Sequence, residues 1–153
     1  MGKKITQKIN KLKKTFYIEA SSKYFEEYGY EKAKMTDLAK ELEISVGTLY
    51  KVFDSKENLY FEYILSQINQ LVRILNNEKS SDPMENLKMY LSRKYRPFIE
   101  KRKSIEYTLN NDPFFFHKLN LARDNPMNEI YKFLADQFAV ILKEQDIDYN
   151  HIA

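Results

Sequence analysis

The chain has 153 residues, 43% of them hydrophobic and 31% charged, with a formal net charge of +3 and no cysteine. The missing cysteine excludes a disulfide framework and a thiolate metal site. Three glycines and four prolines are too few for a turn-rich β protein, and helical periodicity nearly throughout marks an all-α chain.

The length suits one or two small domains with a true core. The N-terminus has no apolar stretch of signal-peptide length, and no uncharged run approaches the ~18 residues of a membrane span. The expectation is a cytoplasmic protein with no membrane partner.

Positive charge collects at the front. Residues 1–56 hold 12 lysines against 8 acidic side chains, and no acidic residue precedes Glu19. Lys3, Lys4, Lys8, Lys11, Lys13 and Lys14 form a basic arm. Such an arm attracts polyphosphate through counterion release; a solvated tail has the same composition, and an anionic membrane surface is a weaker third reading. Helix 1 is predicted from about Gln7 or Lys14 to Tyr28, with Tyr17, Ala20, Ser21, Tyr24, Phe25 and Tyr28 on one stripe. Gly29 fits a left-handed stop after it.

Helix 2 carries Met35, Leu38, Ala39 and Leu42 at the spacing of one buried face. A break at Glu43-Ile44-Ser45 follows, and Ser45 can cap helix 3, Val46 to Phe53. So short a helix is unstable alone and must be pinned by packing. Leu49 and Phe53 supply the packed face, which turns Thr48 and Lys51 outward with Tyr50 at the margin. Asp54 or Ser55 caps helix 4, and Asp54 with Glu57 has capping-box spacing. Helix 4 runs to about Asn76 with Leu65, Ile68, Val72 and Leu75 on one face, long enough to join two lobes.

Asn76 to Asp82 reads as a polar loop. Three later helices share one start signal, Asp82-Pro83, Asp112-Pro113 and Asn125-Pro126: an Asx cap followed by a proline whose missing N–H costs nothing there. They are predicted at about 83–95, 113–123 and 126–144. A further helix runs from Pro97 to Leu109, unless Pro97 kinks one long helix. The last helix places Met127, Ile130, Tyr131, Leu134, Phe138, Ile141 and Leu142 on an apolar face.

These residues resemble the tetracycline-repressor (TetR/AcrR) family of bacterial transcription regulators. The resemblance runs over about 14–60: Ala20, Tyr24-Phe25, Gly29-Tyr30, Leu38-Ala39, then Ile44-Ser45-Val46-Gly47-Thr48-Leu49-Tyr50, Phe53, Ser55-Lys56-Glu57 and Leu59. It implies an N-terminal three-helix helix-turn-helix DNA-binding domain over residues 1–56. A long helix 4 then joins this to a C-terminal helical ligand and dimerisation domain over 57–153, incomplete at its end. Helix 3 would lie in the major groove of a palindromic operator, bound by a homodimer. Ser45, Val46, Gly47, Thr48 and Lys51 would face the bases, and Tyr50, Lys56 and Lys34 would touch phosphate. The chain departs from the family pattern at Ala33-Lys34, where a capping Thr or Ser is usual, at Glu43, where glycine is usual, and at Val52, where an aromatic is usual.

The second lobe is rich in aromatics. By the resemblance, Tyr90, Tyr95, Phe98, Tyr107, Phe115 and Tyr131 are candidates for an effector pocket; as plain residues they equally fill a helical core. Arg93, Lys94, Arg96, Lys101, Arg102 and Lys103 form a second basic cluster, a solvated face or a site for an anionic effector. Neither histidine has a ligand partner at helical spacing, and no catalytic or phosphate-loop motif is present. No metal, cofactor or catalysis is expected. The reading is a repressor released by a small effector; the alternative is a helical interaction module or anti-regulator that keeps the fold without binding DNA.

Overall fold

The computed structural model describes residues 2–100, 121 and 125–144. Among the described residues there are six helices and no strand: α1 Gly2–Lys32, α2 Met35–Glu41, α3 Val46–Phe53, α4 Lys56–Asn77, α5 Pro83–Glu100 and α6 Met127–Glu144. The all-α expectation holds. The chain divides into two compact units, and the division falls inside α4, between Gln67 and Ile68.

The first unit is built on aromatic packing. Phe25 of α1 meets Tyr60 of α4 edge-on, ring centroids 5.1 Å apart, and Tyr63 at 5.6 Å; Tyr30 meets Tyr60 at 5.0 Å. Such pairs add about 0.5–1.5 kcal/mol beyond the area they bury. Leu38, Ala39, Leu49, Phe53 and Leu59 complete the same buried cluster. An ion pair of Lys14 with Glu62, 2.6 Å, ties α1 to α4 at the surface.

Helix α1 starts at Gly2, earlier than the sequence predicts, so the basic arm is helical. Its sequence carries no breaker before Gly29. At Gly29 the chain kinks, with φ 74° and ψ 167°. This is not the left-handed stop expected from sequence but a conformation essentially reserved for glycine. One further turn, Tyr30–Lys32, delivers Tyr30 to the core, and the Ala33 N–H closes it on the Gly29 carbonyl.

In the second unit Leu75, Tyr90, Ile130 and Phe133 form the buried cluster. The Asx-Pro signals act as read. Asp82 Oδ1 accepts from the N–H groups of Met84 and Glu85, and Asn125 Oδ1 accepts from that of Met127. The third such signal, Asp112-Pro113, lies outside the described residues. Helix α5 runs through position 97 to Glu100, so no break separates Arg96 from Pro97. The buried face of α6 is rotated from the predicted stripe. Ile130, Phe133 and Gln137 are buried, whereas Tyr131 and Phe138 are exposed. Gln137 explains the rotation. Its Oε1 accepts from Asn86 Nδ2 at 2.7 Å, and its own amide donates to the Phe133 carbonyl at 3.0 Å. Asn86 also exchanges two hydrogen bonds with the Ser80 backbone. A buried polar pair so fully satisfied fixes the register of α5 on α6.

Asn86→Ala is therefore expected to destabilise the protein by about 1–3 kcal/mol, the penalty for leaving buried polar partners unsatisfied. The urea unfolding midpoint of the variant against the parent measures it.

Candidate nucleic-acid interface

Helices α2 and α3 and the turn between them form a helix-turn-helix. Helix α2 buries Met35, Leu38 and Ala39, and its N-cap is Lys34, whose side chain makes no capping bond. It ends in a Schellman turn. The Ile44 N–H bonds the Ala39 carbonyl at 3.0 Å, the Glu43 N–H bonds that of Lys40 at 3.0 Å, and Glu43 takes φ 54°. The usual occupant of that position is glycine; Glu43 adopts the same left-handed geometry at a cost of about 1–2 kcal/mol.

Ser45 caps α3: its Oγ accepts from the Thr48 N–H at 3.1 Å and lies 2.8 Å from the Thr48 hydroxyl. The two faces of α3 then separate by burial. Leu49 is 0% and Phe53 2% exposed, while Val46 is 37% and Tyr50 46% exposed. Gly47 and Lys51 are exposed as well. Thr48 was expected to project freely; it is half-buried, with its hydroxyl engaged by Ser45. A Cβ added at Gly47 would meet nothing nearer than Ser45 Oγ, 3.8 Å away. The smallness of Gly47 therefore serves no packing need among the described residues. The outward surface is thus Val46, Gly47, Tyr50 and Lys51, with the Ser45 hydroxyl at its N-terminal edge.

Past α3 the chain turns on Asp54, φ 62° and ψ −41°, where the Ser55 N–H bonds the Phe53 carbonyl at 2.7 Å. This is close to the rare γ-turn. Ser55, rather than Asp54, caps α4: its Oγ accepts from the Asn58 N–H at 3.1 Å. Lys56 follows as the first residue of α4. Its ammonium stands 4.2 Å from the centroid of the Tyr30 ring, a cation–π contact. Burial lowers its pKa, against the opposing pull of Glu31 and Glu57. Beside it the Tyr30 hydroxyl donates to Glu57 Oε1 at 2.6 Å and holds that carboxyl below its ordinary pKa. The sequence pointed to Lys56 by resemblance; it gave no sign that Tyr30 would hold both Lys56 and Glu57.

Ser45, Val46, Gly47, Thr48, Tyr50 and Lys51 thus share one short helix with its cap. Lys34 stands exposed at the start of α2, and Lys56 half-buried at the start of α4. Of the effector-pocket candidates, Tyr90 is buried in the second unit, and Tyr95 and Tyr131 are exposed. Lys94 stands between the first two: its ammonium lies 5.4 Å from the ring centroids of both Tyr90 and Tyr95. Its pKa is raised first by a hydrogen bond with Tyr90, then by charge interactions with Tyr90, Tyr95 and Tyr131. The Phe98 side chain and residues Tyr107 and Phe115 lie outside the described residues, as do Lys101, Arg102 and Lys103. Among the described residues, no group of three or more His, Asp or Glu is placed to hold a metal, and no helix is long and apolar enough to cross a membrane.

Residues 18–63 match the family model described as bacterial regulatory proteins, tetR family. A stretch of 54 residues is 41% identical to HTH-type transcriptional regulator SAB2452 of Staphylococcus aureus (strain bovine RF122 / ET3-1). That match covers 35% of this chain and 29% of the relative, so it spans under a third of the relative's length. In structure, the chain is similar to the TetR family transcriptional regulator PfmR from Thermus thermophilus. The TM-score is 0.57 at 26% identity, over 88% of this chain and 74% of that one.

Two outcomes follow from the local geometry. Glu43→Gly is expected to raise stability by about 1 kcal/mol, because glycine adopts φ > 0 without the Cβ penalty; urea midpoints test it. The lowered pKa of Glu57 means that its bond to Tyr30 contributes stability above the ordinary glutamate range, and loses it as the pH falls through the folded-state value. Tyr30→Phe is therefore expected to be less stable than the parent at neutral pH, with the gap closing in acid. Unfolding midpoints followed from neutral to acid pH would show this, and a gap independent of pH would refute it.

Proposed function

Because residues 18–63 belong to the tetR family of bacterial regulatory proteins, we propose that this protein is a transcription regulator that binds operator DNA through the outward face of α3. A single observation carries the reading: α3 buries Leu49 and Phe53 completely while leaving Val46, Gly47, Tyr50 and Lys51 to solvent. Gly47 costs the helix about 1 kcal/mol relative to alanine without any steric reason among the described residues. A glycine that no described neighbour requires suits close approach of the helix backbone to a ligand. Lys51 supplies a cation for a guanine edge or a phosphate, and Tyr50 a hydroxyl for the backbone. The lysines of α1 add attraction that does not depend on base sequence.

The alternative, a module of this fold that does not bind DNA, drew on the unusual residues at Ala33, Glu43 and Val52. The turn geometry removes Glu43 from that ground, since it adopts the left-handed conformation that glycine would.

Repression relieved by a small effector completes the proposal. The Tyr90 and Tyr95 rings, each 5.4 Å from the Lys94 ammonium, support a second-unit site for an anionic aromatic molecule. Binding as a homodimer to a two-fold palindrome is the arrangement the family implies.

Duplexes enriched from a random pool by the full chain provide the test, with affinity read by fluorescence anisotropy. Gly47→Ala is expected to make the protein about 0.5–1 kcal/mol more stable yet weaken its binding. Lys51→Ala is expected to cost about 1–3 kcal/mol of affinity with unchanged helical content. Parent-like affinity in both variants would remove α3 from the interface.

A further inference from the structure

Tyr30 holds two opposite charges that follow one another in sequence. The Lys56 ammonium lies over its ring, 4.2 Å from the centroid, and its hydroxyl donates to Glu57 Oε1 at 2.6 Å. Neighbouring residues of a helix do not face each other, so Lys56 and Glu57 leave the first turn of α4 in different directions, and one ring meets both. The ring itself is fixed. It is 5% exposed, packs on Phe25 and Tyr60, and is delivered by the kink at Gly29. Lys56 is half-buried and Glu57 exposed. A lysine head on its four-carbon stem is free to wander; the ring face gives this one a resting place. Glu31 and Glu57 both act on its charge.

We propose that Tyr30 is a positioning residue for DNA binding: its hydroxyl keeps the Glu57 carboxylate off Lys56, and its ring holds the Lys56 ammonium at the start of α4 for one backbone phosphate. The inference rests on the DNA-binding reading above and adds to it a buried residue that acts through Lys56. An acidic side chain next to a phosphate contact is a liability. Both charges stand on one ring, so a carboxylate released from the hydroxyl is within a side-chain swing of the ammonium. A lysine paired in that way has little charge left for phosphate. The hydroxyl removes that choice with a charge-assisted hydrogen bond, about twice as strong as a neutral one. Phenylalanine at this position would keep the packing and the ring face, so the hydroxyl can be removed without disturbing either.

Affinity of the full chain for a duplex enriched from a random pool tests it, read by anisotropy across a salt series. Lys56→Ala is expected to lower the salt slope by about 1. Tyr30→Phe is expected to weaken binding about fivefold, the upper range for one exposed ion pair. Tyr30→Phe/Glu57→Gln is expected to bind like the parent although the hydroxyl is still missing, a rescue that a purely structural role would not give. In the Lys56→Ala background, Tyr30→Phe is expected to change nothing further. Proton NMR of the free chain gives a second reading: the Lys56 ε-methylene signal, shifted upfield by the ring, is expected to move back in Tyr30→Phe and to return in the double variant. Parent affinity in Tyr30→Phe, no rescue by Glu57→Gln, an equal loss without Lys56, or an ε-methylene signal indifferent to Tyr30→Phe would each overturn the proposal. Parent affinity in Lys56→Ala beside a weakened Lys51→Ala would overturn it alone; parent affinity in Gly47→Ala and Lys51→Ala would overturn the reading beneath it as well.

Discussion

The burial of Leu49 and Phe53 is the constraint on which the candidate interface depends. An eight-residue helix cannot offset its own nucleation cost in water. Two side chains that are fully buried each contribute about 1.5–3 kcal/mol, enough to hold α3 in one rotational setting. That setting decides which residues face outward. A rotation by one residue would bring Thr48 or Val52 to the surface in place of Tyr50 or Lys51. The aromatic cluster of Phe25, Tyr30, Tyr60 and Tyr63 matters for the same reason: it forms the body against which the short helix is held.

Strain brackets α3 at both ends. Glu43 and Asp54 are the two described non-glycine residues with positive φ. Each sits where the chain must reverse direction within one or two residues, between α2 and α3 and between α3 and α4. Neither position has a glycine to ease it, so packing must hold both turns. The rarity of glycine in the whole chain is consistent with this, for Gly47 lies in the open on α3 and Gly29 makes the kink in α1.

Much of this was legible in the sequence, and the misses have physical causes. The Ser45 cap and the Leu49/Phe53 pair placed α3 to the residue, and the apolar spacing of Met35, Leu38 and Ala39 located α2, because each rests on local chemistry; Leu42, read with them, is the half-buried cap after α2. The Asx-Pro pairs at Asp82 and Asn125 were equally local. The start of α1 reads too late because a lysine-rich segment is a good helix former that gives no apolar signal toward the core. The buried face of α6 is misjudged at Gln137. A polar side chain reads as exposed until its partner, Asn86, is known, and that partner is 51 residues away. The engagement of Lys56 by Tyr30 is hidden for the same reason: it depends on the kink at Gly29, whose unusual ψ no neighbouring residue announces. Tyr131 and Phe138 count as core on periodicity alone, although a helix may expose apolar side chains without any structural fault.

The outward face of α3 is the surface proposed to meet DNA. Amide hydrogen exchange of the full chain, with and without a duplex enriched from a random pool, addresses this directly. Added protection concentrated on Val46 to Lys51 and the first turn of α4, and lost at high salt, is the expected result. Binding that leaves those amides unprotected, or no enriched duplex at all, would contradict it.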